Sequence, residues 1–155
     1  MLITLLFALA TALPQDPHTA MNDRGAHVMG FDQAKTVHHF LLFDDGGAVE
    51  IGVKELADVA NRDAIRGHLP HIAVMFGEGN FAAPMLIHDT NNVPGIATLT
   101  TRKKLITYRY AETAAGGRVE IITKDAQALK AVHEFLRYQI KEHQTGDPGT
   151  VAPRR

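Results

Sequence analysis

At 155 residues, with 45% hydrophobic and 21% charged residues, the chain has the length and composition of one globular domain. Sixteen basic against seventeen acidic residues leave a formal net charge of -1, which excludes the basic footprint of a nucleic-acid-binding protein. The absence of Cys excludes disulfides, zinc–thiolate sites, iron–sulfur clusters, thiol catalysis and covalently attached haem c, so any metal must be held by His, Met, Asp or Glu.

The run from Met1 to Ala12 is nearly uncharged and mostly apolar. It is too short to span a bilayer and suits the h-region of a signal peptide, with small residues at Ala8 and Ala10, or Ala10 and Ala12, spaced for cleavage. No Lys or Arg precedes it, where a signal peptide ordinarily carries one. The expectation is an exported protein, periplasmic or extracellular, whose mature chain makes no stable membrane insertion.

Residues 13–35 contain Pro14, Pro17, Gly25 and Gly30 without sustained periodicity and read as a loop-rich lead-in. Thr36–Phe43, dense in β-branched and aromatic residues, predicts a strand, and 48–53 a second, joined through Asp44-Asp45-Gly46-Gly47 as a hairpin. A turn centred on Asp45-Gly46 puts His38 opposite Val53, on the side of Phe40, Leu42, Val49 and Ile51; a one-residue bulge would turn His39 inward instead. A helix follows, capped by Asp58 or Asn61, with Ile65, Leu69, Ile72, Ala73 and Phe76 on one face. Pro70 predicts a kink or a fresh start within it. Residues 79–95 read as a long loop of the kind that is often functional.

The second half repeats the plan: strands at 105–110 and 118–123, then a helix at 125–143 with Leu129, Val132, Leu136 and Ile140 on its apolar face. Gly46–Ile51 matches Gly116–Ile121 at all but one position. The expected architecture is α+β, with duplicated ββα units at about 36–78 and 104–143. They would form an antiparallel sheet of about four strands with two helices packed on one face. Residues 144–155 read as a flexible tail.

Nine histidines are many for this length, and imidazole is both the commonest metal ligand and the side chain that titrates nearest neutrality. His133 falls inside the apolar stripe of the second helix, where a polar ring needs a partner; a backbone carbonyl, a Glu or a Tyr would serve as well as a metal. His38 and His39 are adjacent in a strand, so one of them faces the core. His68 and His71 are neighbours on one helix flank, with Pro70 between them. His38 or His39, His68 or His71, and His133 could converge between sheet and helices as three ligands for copper or zinc. His27, Met29, His88 and His143 are further candidates, and the thioethers tilt the choice toward copper.

There is no H-E-x-x-H, G-x-S-x-G, P-loop or G-x-G-x-x-G, so hydrolase elbows and nucleotide cofactors lack support. The densest polar-aromatic stretches are Phe31-Asp32-Gln33 with Thr36, His38, His39 and Phe40, and Phe135 through Asp147. With Ile65-Arg66-Gly67-His68-Leu69 between them, they resemble a group of small secreted bacterial proteins, some of which bear the label aspartate carbamoyltransferase. Thr100-Thr101-Arg102-Lys103 does not match the Ser-Thr-Arg-Thr-Arg type of loop that label implies, so no catalytic residue follows from the resemblance.

Three functions stand as expectations. The first is a histidine-based copper or zinc binder. The second is a small enzyme using His as general acid/base in a pocket between the helices and residues 79–95. The third is a non-catalytic binding or assembly module, for which a homodimer is the simplest form. The partner is accordingly a metal ion or a small molecule.

Overall fold

The computed structural model describes residues 16–154. The expected signal peptide at 1–12 lies outside the described residues, as do residues 13–15 and Arg155.

The lead-in is not a loop. Helix α1 spans Pro17–Met29: Asp16 accepts the Thr19 amide at 3.1 Å, Pro17 sits in the first turn, and Gly30 ends the helix at φ 75°. Only Met21 and Gly25 are buried on it, which is why no apolar stripe marks it in the sequence. A 3-10 turn leads into β1 (Thr36–Phe43), and β2 (Gly46–Val53) returns from it. Helix α2 (Val59–Gly77), the short helices α3 (Ala82–His88) and α4 (Ile96–Thr101), strands β3 (Ile106–Glu112) and β4 (Gly116–Thr123), and helix α5 (Ala126–His143) complete the chain.

The four strands form one antiparallel sheet in the order β1-β2-β4-β3, so the fold is α+β. The turn between β1 and β2 holds only Asp44 and Asp45, and His38 therefore faces Ile51 rather than Val53. The shift is two residues, so by the pleat's period His38 stays on the side of Phe40, Val49 and Ile51. Gly46, at φ 147°, is required here: a Cβ on it would lie 1.9 Å from the Ile121 carbonyl oxygen of β4.

Both long helices cover the face carrying Val49 and Val119, which pair with each other at the sheet's centre. Helix α2 lies over β3 and β4, and α5 over β1 and β2, so each helix covers the hairpin of the other half. Arg66 of α2 donates to the carbonyls of Thr113 and Gly116 at the end of the β3–β4 hairpin. His133 of α5 donates to those of Phe43 and Gly46 in the β1–β2 hairpin.

Asp58 caps α2, and the helix runs unbroken through Pro70. Ile65 and Leu69 before the proline, and Ile72, Ala73 and Phe76 after it, are buried in the same core, and that packing outweighs the hydrogen bond Pro70 removes. The segment 79–95 is not an open loop either. Asn80 accepts the Ala82 amide at 3.0 Å to start α3, and Phe81, Ala83, Ile87 and Val93 are buried. On α5 the buried residues are Ala128, Ala131, Val132, Phe135, Leu136 and Gln139, a face rotated from the expected one, with Leu129 and Ile140 at its margins.

The tail is tied down rather than frayed. Asp147 accepts from the Phe40 amide, Ala152 pairs with the free edge of β1, and Arg154 reaches Asp45 and the Ile121 carbonyl. An edge strand that would otherwise present unpaired backbone groups is covered by its own chain. Among the described residues no helix is long and apolar enough to cross a membrane.

Candidate functional site

A cavity of about 60 Å3 lies between the sheet and the helices. Its sheet wall is Phe40, Val49 and Ile51, with His38 at the end of the row; α2 supplies His68, Leu69, Ile72 and Phe76. Helix α3 supplies Ala83, Pro84 and Ile87, α5 supplies Phe135, Gln139 and His143, and Met29 closes one side from the end of α1. Stacked Phe76 and Phe81, with Phe135 edge-on to both, stiffen the apolar end.

The polar groups gather at the other end. His38 and His143 stack with ring centroids 5.4 Å apart, and Phe31 packs against His38 and His68 from the outside. His88 stands edge-on to His143 at 5.1 Å and hydrogen-bonds Gln139 through Nε2 and Oε1 at 2.9 Å. A carboxamide oxygen only accepts, so His88 carries its proton on Nε2 and the Gln139 amide nitrogen is left with its donors unused. Three buried nitrogens of the lining have no hydrogen-bond partner: Nε2 of His38, Nε2 of His68 and Nε2 of Gln139. Each such group ordinarily costs about 1–3 kcal/mol if nothing meets it.

Burial, reinforced by His39, pushes His38 down to about 4. Burial, reinforced by His38, His88 and His18, pushes His143 down to about 3. His68 and His88 are also lowered, chiefly by burial. At neutral pH these imidazoles are therefore uncharged, and no Asp, Glu, Lys or Arg lines the cavity. The His38–His143 pair also borders an outer polar groove with His18, Asn22, Thr36 and Thr145. The two rings thus stand as a partition between the buried cavity and the surface.

Of the expected metal ligands, His38 and His68 reach the cavity, and so do Met29 and His143 from the further candidates. The others do not. His39 points to the opposite side of the sheet and pairs with Asp147 at 2.8 Å, as strand alternation requires once His38 faces in. His71 is exposed on the flank of α2, and His27 on α1. His133 lies near the middle of α5, where Nε2 meets the carbonyls of Phe43 at 2.8 Å and Gly46 at 3.0 Å, so its partner is backbone. The three-imidazole site through His133 is thus not assembled, and among the described residues no group of three or more His, Asp or Glu is placed to hold a metal ion.

Gln139 is the site residue that sequence reading missed. The signal was present: a polar residue four positions after Phe135 and three after Leu136, on the face that α5 buries.

No family model, curated protein or solved structure matches this chain.

Proposed function

We propose that this chain is a small-molecule binding protein whose site is the cavity bounded by His38, His68, Gln139 and His143. One observation carries the reading: three buried nitrogens without partners belong to residues that line a space walled almost entirely by apolar atoms. An apolar pocket with a few convergent polar groups is the usual form of a small-molecule site. Fragment titration of the isotope-labelled protein tests it: saturable shifts at Met29, His38, His68 and Gln139 are expected. A fragment set that moves only surface resonances would refute it. Export to the periplasm or beyond remains part of the reading, supported by the apolar run at 1–12.

A second reading, a soft-metal site, rests on Met29, His38, His68 and His143 lining one cavity, although no three of the histidines are close enough to share an ion. Thioether and imidazole donors suit Cu(I) better than zinc, which favours imidazole, thiolate and carboxylate over thioether sulfur and finds no carboxylate in the lining. Competitive Cu(I) titration distinguishes the readings: stoichiometric binding that Met29→Leu and His38→Ala both weaken at least tenfold supports copper. Binding indifferent to both substitutions sinks it.

A further inference from the structure

We infer that the ligand is an uncharged molecule of roughly two to four heavy atoms with a single oxygen, a short alcohol, ketone or aldehyde. The inference rests on the small-molecule reading above and adds size, charge and polarity to it.

Size comes from the cavity. At about 60 Å3 it exceeds the space of a single water several-fold. It is well short of the roughly 150 Å3 cavity that takes benzene. A ring-sized ligand would need the aromatic end to move, and Phe76, Phe81 and Phe135 hold one another there.

Charge comes from what lines it. No carboxylate, ammonium or guanidinium reaches the cavity, and burial keeps its imidazoles neutral. An ion entering such a space would lose its hydration with no opposite charge to meet, so the cavity disfavours ions. The unpaired groups set the polarity. The Gln139 oxygen is engaged by His88, so the residue offers only N–H donors, and the ligand must present an acceptor. The Nε2 atoms of His38 and His68 can each donate or accept according to tautomer, so a hydroxyl or carbonyl oxygen finds a partner at whichever of these groups it reaches.

The test is NMR titration of the labelled full chain with five probes of similar size: acetone, 2-propanol, acetate, isopropylammonium and xenon. Acetone and 2-propanol should shift the His38, His68 and Gln139 side-chain signals saturably. Acetate and isopropylammonium at tenfold higher concentration should not. Gln139→Leu should weaken acetone at least fivefold while leaving xenon binding within twofold, and Gln139→Met serves if that variant fails to fold. Tighter binding of either ion, or of xenon alone, overturns the ligand class and leaves the pocket reading standing. If none of the five shifts a cavity resonance, both fall.

Discussion

His38 and His143 stack in near-parallel planes, 25° apart, with ring centroids separated by 5.4 Å. One comes from the edge strand and the other from the last turn of α5, and together they divide the apolar cavity from the polar groove outside it. Two neutral rings can stack in this way, but two protonated ones would repel across the same gap.

That pair makes stability fall with acid. Both native values, about 4 and about 3, lie below the 6.5 of an ordinary imidazole. The unfolded chain therefore binds more protons as pH drops below 6.5, and the native state loses ground. The contribution is complete above pH 6.5. Below it, each ring loses about 1.4 kcal/mol per pH unit until its native value is reached. His68 and His88 act in the same direction, and Asp147 adds loss only at lower pH, since its carboxyl is held below the usual range. Burial alone would raise Asp147, but bonds from Thr145, the Phe40 amide and His39 outweigh it. Urea midpoints at pH 7.5 and 5 should differ sharply in the native protein and distinctly less in His143→Gln. An unchanged pH dependence in that variant would refute the argument.

His133→Ala should destabilise the protein without touching ligand binding. It leaves the Phe43 and Gly46 carbonyls without their side-chain donor and frees α5 from the β1–β2 hairpin. A loss of about 1–3 kcal/mol is expected by chemical denaturation. Cavity probes should bind the folded variant as they bind the native chain.

Asp147→Ala should detach the tail. Its carboxylate accepts from the Phe40 amide at 2.9 Å, from Thr145 at 2.7 Å and from His39 at 2.8 Å. Amide exchange should accelerate at residues 40–44 and 150–153, where the tail pairs with β1, while β2 and β4 remain protected. Exchange unaltered at Ala152 would count against a tail held by Asp147.

Gly47→Ala should be poorly tolerated although its φ is unremarkable. The added methyl would sit 2.2 Å from a Leu136 methyl and 2.5 Å from the Leu41 carbonyl oxygen. Overpacking of this kind costs about 1–3 kcal/mol, more where backbone must move. Gly67→Ala, with nothing within 4 Å of the new methyl, is the control and should be neutral or stabilising.

Much of the fold was legible because local chemistry announces itself. Asp58 and Asp125 cap helices whose starts they predict, and β-branched runs mark the strands. Helix α1 carries end signals in its sequence, with Asp16 as cap, Pro17 in the first turn and Gly30 as left-handed stop, but no apolar period, because it buries only Met21 and Gly25. Segment 79–95 reads as a loop in sequence because α3 is seven residues long, too short to show a period.

The candidate site divides along the same line. Alternation within β1 was enough to put one of His38 and His39 toward the core, and the spacing on α2 to place Leu69 and Ile72 inside. The two polar-aromatic stretches at 31–40 and 135–147 do meet, through His38 with His143 and Phe40 with Asp147. Periodicity, however, assigns a residue to a face and says nothing of which residue stands opposite. Whether His133 or His143 would join His38 depended on how α5 crosses β1 and β2. Only tertiary packing decided that, by carrying each helix across the other half's hairpin and leaving His133 on backbone carbonyls while His143 reached the cavity.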